Sequence, residues 1–268
     1  MSNIAGPAFV FIGLDLAWSP QNASGVATLH GGEHGARLIA EPTLLGSDDE
    51  IVAYIVQQAG ALPTIVAVDA PLTVPNTSGQ RRAEAELARD FRRYEAGAHP
   101  ANRKLLSYNG RIRGEELVRS LAAAGFQQRA EIAVGQRDRR IVEVFPHPAM
   151  IALFGLQRTL KYKARPQRSR ETQLAAWHEY RRHLLALRLT DPPLHGHEAL
   201  LLHKIDDLRG TALKAYEDRV DALFCAYIAL YGLRWGEVRC RVYGSLEEGS
   251  IFTPVPFQKA VPESSGQA

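Results

Sequence analysis

Five acids stand where the hydrophobic pattern puts buried backbone. Asp15 lies at the end of the apolar run 8–16, Asp69 ends the run TIVAVDA, and Glu143 sits inside RIVEVFP. Asp218 and Asp221 are three residues apart on a strongly apolar helical stretch, so both carboxylates share one helix face. A buried carboxylate is costly unless it is paired, metal-bound or protonated. One acid at a strand end usually means a cap or a surface residue. Three strand-borne acids and a helical pair are harder to explain that way. Carboxylates that converge repel each other, and a divalent cation relieves the repulsion. Oxygen-only donors select Mg²⁺ or Mn²⁺ over Zn²⁺. Two such ions about 3.5–4 Å apart activate water and stabilise the leaving oxygen in phosphodiester cleavage. Asp15, Asp69, Asp218 and Asp221 are the expected metal ligands and, with Glu143, the expected catalytic set.

The basic residues are unevenly spread. Residues 1–80 carry one basic and seven acidic side chains, whereas residues 81–170 carry twenty basic and nine acidic, within a net charge of +3. Such a middle segment can grip a polyanion, or it can be a set of solvated faces. The phosphate candidates are Arg81, Arg82, Arg103, Lys104, Lys161, Lys163 and Arg165, joined by His147 from the Pro-His-Pro after Glu143. His147 suits a general acid, a phosphate contact or a plain turn residue. Trp18, close to Asp15, suits a base-stacking surface or the core. His195, His197 and His203 lack metal-site spacing and read as solvated or capping residues.

These side chains need a scaffold. The run 8–16, a segment 24–30 and a segment 36–41 are spaced as an antiparallel meander. Ser47 with Glu50 makes a capping box for a helix to about residue 58. The run 64–69 is a fourth strand, apolar enough to be covered on both faces. Helices are expected at 80–96, 114–124, 148–154, 171–189, 198–208 and 212–231, a strand at 140–146, and terminal strands at 238–243 and 250–255. The stretch 161–170 reads as a basic loop.

Four segments resemble the predicted nucleases of domain-of-unknown-function family 429: GLDLAW (13–18), AVDAPLTVP (67–75), VEVFPHPA (142–149) and YEDRVDALFCAY (216–227). Stretches similar to the family's also occur at 97–103 and 161–166. The last motif also resembles the acid helix of Holliday-junction resolvases. The resemblance implies a ribonuclease H-like α/β fold: a mixed sheet, helices on both faces and a helical insertion after the fourth strand. One domain is expected over 8–257, with the insertion at about 76–138 and further helices over 148–208, and the polar tail at 258–268 is expected to be disordered. By position, Asp15 and Asp69 become the strand acids and Asp218 and Asp221 the helix acids, with Asp221, before Ala-Leu, the firmer match.

Composition excludes several classes. With 46% hydrophobic and 23% charged residues and two Cys, the chain is neither disordered nor a disulfide scaffold. No apolar run reaches membrane-span length, and a cytoplasmic setting is expected. Phosphate-loop, dinucleotide and serine-hydrolase motifs are absent. The expectation is a metal-dependent nuclease or phosphodiesterase acting on DNA or RNA. The alternatives are an inactive nucleic-acid-binding module on the same fold and an enzyme acting on a small nucleotide or phosphorylated ligand.

Overall fold

An apolar run without alternation must be buried on both sides, and strand β1 (Phe9–Asp15) is. In this computed structural model, which describes residues 8–256, β1 is followed by β2 (Ser24–Gly32), β3 (Gly35–Leu38) and the short β4 (Thr43–Leu45). Helix α1 (Asp48–Ala59) starts at Ser47, whose side chain accepts from the Glu50 amide while Glu50 caps in return. Then come β5 (Thr64–Val68), α2 (Arg82–Phe91), α3 (Arg103–Leu106), α4 (Arg113–Ala123), β6 (Gln127–Gln128) and β7 (Arg139–Glu143). The chain continues through α5 (Pro146–Phe154), α6 (Arg170–Ala186), β8 (Leu194–His195), α7 (Glu198–Leu201), α8 (Gly210–Trp235), β9 (Cys240–Ser245) and β10 (Gly249–Pro254).

The main sheet has the order β6-β7-β5-β1-β2-β3-β8, with β4 also paired to β2. β1 runs antiparallel to β2 and parallel to β5, and β5 runs parallel to β7. Side chains alternate across a strand. Val10, Ile12 and Leu14 therefore face α1 and α4, while Phe9 and Phe11 face the larger core built around α8. This is the mixed sheet with covered faces that the sequence leads one to expect.

One expectation changes, and two expected elements gain partners. The stretch 198–208 is not one helix: α7 ends at Leu201, and a separate turn of 3-10 helix covers Ile205–Asp207. The two expected terminal strands are present and pair with each other, touching the main sheet through one bridge between Val144 and Phe252. Beneath that hairpin α2 buries Ala83, Leu87 and Phe91 against Tyr243 and Ile251, so it is amphipathic. The tail expected at 258–268 lies outside the described residues. No described helix is long and apolar enough to cross a membrane.

Two glycines set how α8 meets the sheet. A Cβ on Gly13 would lie 1.9 Å from the Ala222 carbonyl oxygen, and one on Gly25 would lie 2.0 Å from that of Asp218. Only residues without a side chain let the helix backbone rest directly on β1 and β2. Gly25 is the ladder partner of Asp15, so this contact brings the helix acids to the acid end of β1.

Candidate functional site

Asp15 ends β1 and Asp69 follows β5, where its amide donates to the Leu14 carbonyl at 2.9 Å. Asp221 arrives from α8 and is fully buried. The three interact strongly. Burial, then Asp221 and Asp69, push the Asp15 carboxyl well above the ordinary carboxylate range. Asp69 is raised to about 7, first by burial and then by Asp221, against the pull of Lys163. Glu217, one turn before Asp221, is also pushed up by burial and by Asp221.

Two ammonium groups partly offset these charges. Lys163 Nζ is 2.8 Å from Asp221 Oδ2, and the Tyr162 hydroxyl donates to Asp221 Oδ1 at 2.8 Å. Burial disfavours the Lys163 charge, but Asp221, Asp15 and Asp69 hold it well above its usual range. Arg168 donates to the Lys163 carbonyl and so steadies its backbone. Lys214 pairs with Glu217 at 3.0 Å and with Asp218. Among the described residues no side chain donates a hydrogen bond to Asp15 or Asp69, and no cation lies within ion-pair distance of either. The cluster is short of positive charge.

The donor set suits a hard divalent ion. Its donors are carboxylate oxygens, and Asp221 Oδ2 is buried without an aligned hydrogen bond despite the nearby ammonium. The fit is one of charge and donor type, not of finished geometry. Among the described residues no three His, Cys, Asp or Glu side chains are grouped to hold an ion as they stand. Lys163 is the cation that Asp15, Asp69 and Asp221 share.

A cleft of about 460 Å³ opens over the cluster, lined by Asp15 and Asp69 and by Lys161, Lys163, Arg165 and Arg168. His147 also lines it. Its ring stacks on Tyr162 at 6.3 Å, and burial, then Lys163, lowers it to about 3, so it is neutral. A neutral imidazole can donate or accept a hydrogen bond here but brings no charge to a phosphate.

Other expected residues lie elsewhere. Glu143 accepts from the Leu72 amide at 2.9 Å and from both terminal nitrogens of Arg81. Arg81 is 3% exposed and also bonded to Glu84, so it is no phosphate contact on the surface. Burial still raises Glu143 against the pull of Arg81. Arg82 pairs with Glu86, and Arg103 with Glu115 and the Val74 carbonyl. Lys104 is exposed, outside the cleft. Asp218 faces Lys214 and a groove on the other flank of Asp15. His197 is buried and bonded to the Leu184 carbonyl, a structural role.

Glu217, Lys214, Tyr162 and His99 enter the site without having been singled out from the sequence as site residues. Glu217 carried a usable signal, since it lies four residues before Asp221 and shares its helix face. Tyr162 and His99 carried none, because each comes from a loop, Tyr162 to the buried Asp221 and His99 to the cleft.

A sheet in this order, with acids at adjacent strand ends and an acid helix laid across them, defines a ribonuclease H-like α/β protein. The chain belongs to the family described as protein of unknown function (DUF429), whose model matches residues 13–247. Comparison with curated proteins and with solved structures returned no match.

Proposed function

We propose that the cleft binds a nucleic-acid backbone and hydrolyses a phosphodiester bond with Mg²⁺ or Mn²⁺. The observation that carries this reading is the meeting, in one cleft, of Asp15 and Asp69 from the ends of β1 and β5 with Lys161, Lys163, Arg165 and Arg168, where Lys163 also pairs with the buried α8 acid Asp221. Asp15, Asp69 and Asp221 would hold the ion. Bound there, it would supply charge neutralisation and an activated water. Lys161, Arg165 and Arg168 bind phosphate oxygens, Arg by its fork and Lys as a point charge. Lys163 pairs with Asp221 at 2.8 Å. Tyr162 fixes the orientation of that carboxylate by donating to Oδ1. Buried free Cys225 and Cys240 accord with a reducing, cytoplasmic setting.

The cleft volume also suits a mononucleotide, which keeps the small-ligand reading in view. The polymer reading is favoured by a second groove of about 450 Å³ that shares Asp15, Ala17, Trp18 and Lys214 with the cleft and offers a strand room to continue. The test is hydrolysis of single-stranded and structured DNA and RNA with Mg²⁺ or Mn²⁺, beside the Asp15→Asn, Asp69→Asn double variant. Metal-dependent cleavage that the variant loses is expected. Equal activity in the variant, or none in either protein, sinks the reading. Mn²⁺ binding followed by calorimetry tests the ligand set apart from activity.

A further inference from the structure

Trp18 is the large apolar side chain that the site leaves uncovered. It is 52% exposed, and among the described residues no ring, cation or hydrogen-bond donor engages its indole. It borders both the acid cleft and the groove on the other flank of Asp15, and two small apolar pits besides. The core role that the sequence left open is therefore excluded.

The turn that displays it is held in place from below. Arg113, at the start of α4, is 6% exposed and donates from Nη1 to the carbonyls of Ala17 (2.8 Å), Ser19 (3.1 Å) and Asn22 (3.2 Å). Its Nε donates to Asp48 at 2.6 Å, and the Ala17 amide donates to Ser24 Oγ at 3.1 Å. A buried arginine spent on three carbonyls of one turn fixes the backbone on both sides of Trp18. An exposed aromatic on a rigid mount binds with little further loss of freedom.

We propose that Trp18 is a stacking platform for an unpaired nucleobase of the strand whose phosphate lies over Asp15 and Asp69. This rests on the function proposed above, because the phosphate is what brings a base to the indole. The larger pit beside Trp18, formed with Pro71, Pro100 and Phe145, measures about 80 Å³, far below the ~300 Å³ of the smallest usual ligand pockets. The base therefore stacks on the indole face rather than entering a pocket. In a duplex both faces of a base are covered by neighbours, so the substrate is single-stranded or presents an extrahelical base.

The test uses a short oligothymidylate and an abasic oligomer of the same length and backbone, titrated in Mg²⁺ buffer. Trp177 is fully buried, and Trp235 lies under Arg239 at 3.6 Å, so Trp18 is the indole best placed to report. Oligothymidylate should quench tryptophan emission and bind wild type more tightly than the abasic oligomer does. Trp18→Ala should weaken oligothymidylate binding roughly fivefold to a hundredfold, and Trp18→Phe should retain most of it. Binding of the abasic oligomer should not change in Trp18→Ala. Equal affinity of wild type for the two oligomers, or no loss in Trp18→Ala, overturns the platform and leaves the phosphodiester reading standing. No binding of either oligomer overturns both.

Discussion

Two groups of buried carboxylates lie at neighbouring strand ends, and their surroundings differ. At the end of β7, Glu143 and Glu84 enclose Arg81, and all four carboxylate oxygens accept hydrogen bonds. At the ends of β1 and β5, Asp15 and Asp69 accept none from described side chains, and the two ammonium groups that act on them, Lys163 and Lys214, are paired to Asp221 and to Glu217 and Asp218. The first group is complete without a ligand. The second keeps like charges together under a cleft, an arrangement that disfavours the ligand-free protein. A satisfied buried network stabilises and specifies a fold. An unsatisfied one at a cleft marks a place where something else binds.

The largest expected effect comes from breaking the complete group. Arg81→Leu strands two buried carboxylates and should cost about 3–5 kcal/mol in urea unfolding. A loss within experimental error would show that the Arg81 group is not the structural member of the pair.

Next comes the opposite sign in the incomplete group. Asp69→Asn removes a repelled charge and should raise the Tm of the metal-free protein at pH 8 by about 2–4 °C, equivalent to ~1 kcal/mol in a chain of this size. The pH dependence follows. Asp69 is raised from 3.8 to about 7, so the folded state holds a proton that the unfolded state has released. Its penalty is absent below pH 3.8, grows as the pH rises, and is complete above about 7. Asp69→Asn should flatten that part of the Tm profile. Stabilisation by Mg²⁺ should be greater at pH 8 than at pH 5.5, because the ion competes with the proton.

A smaller effect should follow at Lys163. Lys163→Met removes the ammonium shared by the three acids and should tighten Mg²⁺ binding by about threefold while weakening oligonucleotide binding. Unchanged Mg²⁺ affinity by calorimetry would separate Lys163 from the cation site. The smallest effect belongs to Arg82, exposed and paired with Glu86 on one helix face. Arg82→Ala should leave Tm and oligonucleotide affinity unchanged, in contrast to its neighbour Arg81.

Much of the scaffold was legible locally. The Ser47–Glu50 box placed α1, the apolar runs placed β1 and β5, and Asp221 in its apolar helix was marked by its neighbours. The segment 198–208 reads as one helix because its apolar residues face the core from two short turns, which mimic one helix face. The charges were least legible. Arg81, Arg82 and Arg165 look alike in sequence, yet one is buried, one is spent on a surface pair and one lines the cleft.

By itself the sequence determined which residues are acidic amid apolar neighbours, because burial periodicity is written in the order of side chains. It determined also that Gly13 and Gly25 have no Cβ. Tertiary structure alone decided that Glu143 is neutralised while Asp15 and Asp69 are not. The partners of a buried charge come from elements far apart in the chain, and their distances exist only once β1, β5, β7 and α8 have packed.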